Sequence, residues 1–466
     1  MLSANPTPRN PRRLKRLLLV STLIGLGLIG VTQVLRRTGS PAGSEDKLTN
    51  VTYMEIDEYL LSEGNRFRRS DGSIDLCKVL LPIVPPPQPL PPPDQGGYLG
   101  PTVCAECHQD YFEGYQHTSH FHTSAIASRA TVKGSFAPGE NELTTACPNL
   151  KFHMLDVNGK LIQRVLLTSG RDTYAEDFPF GLATGSGKVG QTYLYWNEDH
   201  LYQMHVSYVE SLGRWANSPG FIDGTADYAR PILPLCLECH TTYAQAIPGT
   251  INQYRPDTMV LGVTCEKCHG PGEKHVEFHR QQEDAEPHHI TNPANLPPER
   301  SMEICQLCHG GLPQEMIQPP FHFRPGQPLE NFYRFDYNAE PAGIHSNSQL
   351  PRLRMSRCFT QSDAMTCVDC HDPHAFERGD LALFSARCMN CHAAQDCGLH
   401  DTVPPASLTS NCIDCHMPAR EMEDIVIMTG SDAKNPPMRD HFIRVWPEVS
   451  REILEAWKLP AASTAR

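Results

Sequence analysis

Apolar and polar positions follow three different patterns along this chain, and each predicts a different element. Leu17 to Leu35 is a 19-residue run without a charge, about 28 Å long as a helix and enough to span a hydrocarbon core. Five basic residues precede it (Arg9, Arg12, Arg13, Lys15 and Arg16) and two follow it (Arg36 and Arg37), which predicts an amino terminus held on the cytoplasmic side. The expectation is an uncleaved signal anchor with the body exported. A cleavable signal peptide is the alternative, but its apolar region is usually about 7–15 residues, and only Ser40-Pro41-Ala42 approaches a cleavage site. The second pattern has period two. Tyr193-Leu194-Tyr195-Trp196 leads to a polar turn, then Tyr202, Met204, Val206 and Tyr208 alternate with Gln203, His205 and Ser207, predicting a β-hairpin. After Cys236 the apolar stretches are short and aperiodic, which predicts short helices and loops, with a terminal helix from Glu448 to Lys458.

Composition adds a class boundary. The 466 residues include 33 Gly and 41 Pro, an excess that argues against a long-helix bundle or coiled coil. The run from Pro85 to Pro93 predicts a polyproline II strut. Net charge is −13, yet the first 37 residues hold seven basic side chains and no acid. The remaining body is correspondingly more acidic, which excludes phosphate-backbone binding because that needs clustered cations. Gly185, Gly187 and Gly190 match a dinucleotide-binding pattern, but strand-like residues follow them where a helix is required. They are read as turn glycines.

The chemistry lies in the 18 cysteines and 22 histidines. Fourteen cysteines fall into seven Cys-x-x-Cys-His units, where composition alone predicts about 0.03. The units are Cys104-Cys107-His108, Cys236-Cys239-His240, Cys265-Cys268-His269, Cys305-Cys308-His309, Cys367-Cys370-His371, Cys388-Cys391-His392 and Cys412-Cys415-His416. Two cysteines three apart on a helical turn can each form a thioether to a haem vinyl group, and the following histidine then reaches the iron. Zinc would want four protein ligands from paired motifs, and a disulfide framework gives no reason for the repeated histidine. Seven covalently bound haem c groups are therefore expected. Of the four other cysteines, Cys358–Cys397 could staple the last block and Cys77–Cys147 is left by elimination; free thiols are the alternative.

Fifteen histidines lie outside the motifs, more than the seven irons need as second ligands. His275 and His279 share one helical face, His374 closes Cys-His-Asp-Pro-His, and His117, His120 and His122 cluster behind the first motif. His288 and His289 read as surface, and His153 and His205 as packed within strands. Met417 could in principle ligate after His416.

The stretch from Gly96 to about Pro447 resembles the multihaem cytochromes c related to the tetrahaem cytochrome of ammonia oxidisers, a superfamily with hydroxylamine oxidoreductase and pentahaem nitrite reductase. The resemblance rests on Gly96-Gly97-Tyr98-Leu99-Gly100-Pro101 before Cys104, on Gly270-Pro271-Gly272 with His275, and on Met365-Thr366 leading into Cys367. It extends over Asp372-Pro373-His374, Met417-Pro418, and Arg439-Asp440-His441-Phe442-Ile443-Arg444. It implies distal ligands at His120, His275, His345, His374, His400 and His441. That leaves one haem, for which His117, in the cluster behind the first motif, is the candidate by count. The chain has no Cys-x-x-Cys-Lys unit, the mark of the nitrite reductase catalytic haem, and seven motifs where hydroxylamine oxidoreductase has eight.

The expected organisation is 1–38 basic tail and transmembrane anchor, 39–98 Pro-rich spacer, 99–142 first haem segment and 143–232 β-rich insert. A three-haem block over 233–320, a second over 321–445, and a terminal helix and tail over 446–466 follow. The fold class is a multihaem cytochrome c, short helices and loops wrapped around stacked haems. Function is expected as electron transfer from a membrane quinol-oxidising donor to a soluble cytochrome or other redox partner, with the body in the periplasm. The alternative is an oxidoreductase acting on a small nitrogen or sulfur compound at one five-coordinate haem, with Arg214, Tyr228 and Arg230 as candidate lining.

Overall fold

The structure is a computed structural model and describes residues 53–54, 79–281, 288–335, 343–422, 425–429 and 432–458. The expected anchor at 17–35, most of the spacer and Cys77 lie outside the described residues. Among the described residues no helix is long and apolar enough to cross a membrane.

The first half is built on two antiparallel sheets. One orders Glu142–Thr144, Leu150–Val157, Lys160–Ser169 and Asp172–Pro179 as neighbours. Alternation explains it, since Leu150, Phe152 and Met154 point inward while Lys151, His153 and Leu155 are more exposed. The other runs Arg214–Asn217, Val206–Val209, Gly190–Asn197, Leu182–Thr184 and Ser124–Ile126, with His200–Gln203 paired to Gly190–Asn197. The predicted hairpin is that last pairing, Tyr202 opposite Tyr195. Met204 and Val206 are buried, but so are His205 and Ser207. Both faces are covered there, so alternation does not separate inside from outside.

An ordinary layered core, not expected from the sequence, fills the space between these strands. Phe152, Val165, Phe178, Tyr193, Tyr202, Met204, Trp215 and Tyr228 belong to one buried cluster. Its polar member is Gln163, which accepts from Val206 N at 3.0 Å and donates to Val206 O at 3.2 Å. Tyr228 Oη donates to the same amide oxygen. β structure extends to both sides of the expected insert, with the strand Ser124–Ile126 ahead of it and the hairpin Thr241–Ala246 with Tyr254–Leu261 between the second and third motifs. Gly185 and Gly187 both take positive φ, in the turn that joins two strands, which fits the turn reading and leaves no helix for a dinucleotide.

The proline run is docked against the body. Arg255 donates to Pro91 O at 2.6 Å, Gln245 to Pro92 O at 3.2 Å, and Gln253 to Gln88 O at 2.8 Å. Val79–Pro82 just before it pairs in parallel with Ala226–Asp227. Residues 79–98 are thus part of the folded body. The second half is short helices and turns, as expected, ending in Pro447–Lys458.

Candidate haem sites

The motif helices are short because little apolar surface is available to extend them. Pro234 and Pro298 stand in the first turns of Pro234–His240 and Pro298–His309, where a missing amide costs nothing. Cys265–His269 and Cys412–His416 are single turns. His108 N donates to Cys104 O at 2.9 Å, His371 N to Cys367 O at 3.0 Å, and His392 N to Cys388 O at 3.1 Å. Each of these closes a turn that brings both thiols and the imidazole of its motif to one end.

Four motif histidines face a histidine from a distant segment. The ring centroids of His108 and His275 are 6.4 Å apart at 19° between planes. His269 and His374 stand at 6.2 Å and 26°, His371 and His441 at 6.2 Å and 24°, and His309 and His120 at 6.1 Å and 58°. A metal-to-imidazole bond is about 2 Å and the nitrogen lies about 1 Å from the ring centre, so two axial imidazoles on one iron should stand about 6 Å apart. The spacing is that of a bis-histidine iron.

Hydrogen bonds set the tautomer that such ligation needs. His269 Nδ1 lies 2.9 Å from Thr291 O, His309 Nδ1 2.8 Å from Ser346 O, and His275 Nδ1 2.6 Å from His288 O. His416 Nδ1 likewise donates to Arg444 O at 3.0 Å. A backbone carbonyl can only accept, so the proton sits on Nδ1 and the Nε2 lone pair is left for a metal. Burial lowers the pKa of His120 to about 4, with His309 and His371 adding to the shift. Burial, then His371, does the same for His441. Both are held as neutral imidazoles.

The other expected ligands stand elsewhere. His345 Nδ1 accepts from Asn347 N at 3.1 Å, which puts the proton of its neutral ring on Nε2. His400 donates from Nδ1 to Cys397 O at 3.0 Å and has Nε2 3.2 Å from Asp401. His117 is exposed after the helix Gln109–Tyr115. Among the described ring contacts none of the three faces a motif histidine, and for His345 and His400 local backbone and carboxylate partners take the ring nitrogens. His240, His392 and His416 have no opposed histidine among those contacts. His153 meets Glu142 at 3.2 Å. His205 stacks on Phe152, both packed as expected. Of the side chains considered for an open iron, Tyr228 is buried against Phe178 and Arg230 covers the Phe221 ring at 3.7 Å.

The expected Cys358–Cys397 staple is not formed, and both cysteines are free. Cys358 lies near Cys370, Cys388 and Cys391, whereas Cys397 lies near Cys415. Each is drawn into a different motif neighbourhood. Cys147 is disulfide-bonded.

Charged residues inside and beside the motifs hold the segments together, and these were missed. Glu266, in the third motif, accepts from Leu99 N at 2.9 Å, Gly100 N at 2.7 Å and Gly272 N at 2.8 Å. Glu238, in the second, pairs with Lys267 at 3.2 Å in a buried contact. Arg352 binds Asp440 through Nε at 2.9 Å and Nη2 at 2.6 Å. Arg387 binds Glu377 with two nitrogens. An acid between the two cysteines of a motif is the one signal that could have pointed to Glu238 and Glu266.

Residues 194–270, which contain the second and third motifs, match the family model described as cytochrome c554 and c-prime. Over that stretch the chain is similar to a c-type cytochrome family, and the motif cysteines and histidines are of the kind that hold covalently bound haem c. A search of curated proteins found no match. Among solved structures the chain is similar to the outer cell wall cytochrome OcwA, at 16% identity and a TM-score of 0.47, over 76% of this chain and 81% of that one. It is also similar to an undecahaem cytochrome from the S-layer of Carboxydothermus ferrireducens, at 14% identity and a TM-score of 0.34. That match covers 77% of this chain and 53% of the other.

Proposed function

We propose that this is a membrane-anchored, periplasmic cytochrome with seven haem c groups that carries electrons between redox partners. The four opposed histidine pairs carry the reading, because an iron with two imidazoles has no position for a substrate. Bound haem supplies one-electron cycling of iron, and the chain supplies thioether cysteines, axial imidazoles and their spacing. His275, His374, His120 and His441 are the proposed second ligands opposite His108, His269, His309 and His371. Imidazole pairs without a methionine favour low potentials.

Sulfur contacts support a continuous order of the motifs. Cys104 adjoins Cys265, Cys239 adjoins Cys308, and Cys305 adjoins Cys367. Cys268 lies near Cys305, and Cys388 lies near both Cys370 and Cys412. The order is first, third, fourth, fifth, sixth and seventh, with the second attached to the fourth. The acidic body favours basic docking partners and salt-sensitive association.

Intact mass of the purified protein should show seven haems. Electron paramagnetic resonance of the oxidised protein should show low-spin ferric iron for the four paired sites. High-spin iron equal to most of the haem content would overturn the reading. Alkaline extraction of isolated membranes should leave the full-length protein in the pellet, and release into the supernatant would remove the anchor from it.

A further inference from the structure

The second, third and fourth motifs converge on a buried ion pair that ligation of haem does not require. Lys267 is in the third motif and Glu238 in the second, and neither is a thioether cysteine or an axial histidine. Their side chains are 8% and 2% exposed, and Nζ lies 3.2 Å from Oε1. The second carboxylate oxygen of Glu238 accepts from Phe321 N and, at 3.3 Å, from Tyr333 Oη. Lys267 Nζ also sits 5.0 Å from the centroid of the Phe321 ring. The ammonium is close to Cys308, Cys239 and Cys268, and the Cys239 and Cys308 sulfurs touch each other. One positive and one negative charge, both shut off from water, therefore lie among the attachment sulfurs of three motifs.

Burying two charges costs more than burying apolar groups of equal size, so the pair is a poor device for stability alone. A charge in a low-dielectric site acts strongly on its neighbours, and net charge, hydrogen bonding and burial set cofactor potentials. We propose that Lys267 and Glu238 are potential-setting residues for the haems of the second, third and fourth motifs, Lys267 raising and Glu238 lowering their reduction potentials. Reduction adds an electron, so a nearby cation favours the reduced form and a nearby anion opposes it.

The inference rests on haem occupying those motifs, and intact mass tests that separately. With seven haems retained, spectroelectrochemical titration of K267M should move part of the reduction curve to lower potential. E238Q should move the corresponding part to higher potential, and K267R should titrate like the parent protein. A purely structural clasp would give displacements of one sign in both charge-removing variants, or none, and either result would overturn the proposal. If E238Q does not fold, the comparison of K267M with K267R decides. A shift in K267M absent from K267R sustains the inference, and equal behaviour of the two removes it. A parent protein without haem at these motifs would instead defeat the functional reading.

Discussion

The His120 ring stands 6.1 Å from that of His309, and His309 is itself oriented by donating from Nδ1 to Ser346 O at 2.8 Å. The pair joins the segment after the first motif to the fourth motif. Replacing His120 by Gly should leave all thioethers intact and free one axial position. The expected outcome is unchanged intact mass with one low-spin ferric signal converted to high-spin, read by electron paramagnetic resonance. Added imidazole should restore the low-spin form.

Glu266 gathers the amides of Leu99, Gly100 and Gly272 and is almost wholly buried. Hydrogen bonds to a charged group are worth about 1.5–3 kcal/mol each. E266Q keeps the shape and removes the charge, so stability should fall by about 2 kcal/mol. The drop is read as a lower urea midpoint, with protection from hydrogen exchange lost first at residues 97–100.

Asp440 has no exposed side-chain surface and is gripped by Arg352 through two hydrogen bonds, with Arg420 at 3.2 Å. Removing one partner of a buried pair costs about 3–5 kcal/mol. R352M should therefore destabilise by about that amount. Because His441 follows Asp440, the same variant should weaken the His371–His441 pairing, which haem spectra at intermediate urea would reveal.

His205 carries the pH dependence of the β half. Burial lowers its pKa to about 3, below the ordinary value near 6.5. The fold holds the neutral ring, which accepts from Asp227 N at 2.9 Å and meets Asn217 at 3.1 Å. Its contribution is fully present above about pH 6.5 and is lost as pH falls toward 3. The slope should approach about 1.4 kcal/mol per pH unit in that window. H205L should be less stable at neutral pH yet flatter with pH, measured by denaturant midpoints across the range.

Free thiols can be counted directly. If the fourteen motif cysteines are taken by the proposed thioethers and Cys147 by its disulfide, Cys358 and Cys397 are left as thiols. Alkylation of the denatured, unreduced holoprotein should add two labels. Zero labels would establish the staple expected from sequence.

The sequence made the motifs legible because haem attachment is local: five consecutive residues determine both thioethers and one ligand. His275 and His374 were also within reach, since each follows a motif by a few residues and a tight turn. The partner of each was not. That His275 faces His108, and His374 faces His269, depends on how loops cross, which no period or spacing records. The β core was underestimated for a related reason. Strands such as Leu150–Val157 alternate only over short lengths, and Gln163 and His205 are buried through hydrogen bonds that only the fold supplies. Cys358 and Cys397 looked like a bridge because they bracket the fifth and sixth motifs, but distance along the chain says nothing about which motif each sulfur packs beside.

The four histidine pairs also decide how the chain can be divided. Once ligated, they close loops from 108 to 275, 120 to 309, 269 to 374 and 371 to 441, and every loop overlaps the next. Each iron then acts as a cross-link that restricts the unfolded chain, and long loops gain most from such closure. Spacing of the motifs as one, three and three suggests separable blocks, but the overlapping loops form an interlocked chain. No internal segment from the first motif to His441 can be cut out without opening at least one of them. As the chain emerges, the first motif must wait for His275, and the fifth for His441, so the proposed loops can all close only when its last quarter has appeared.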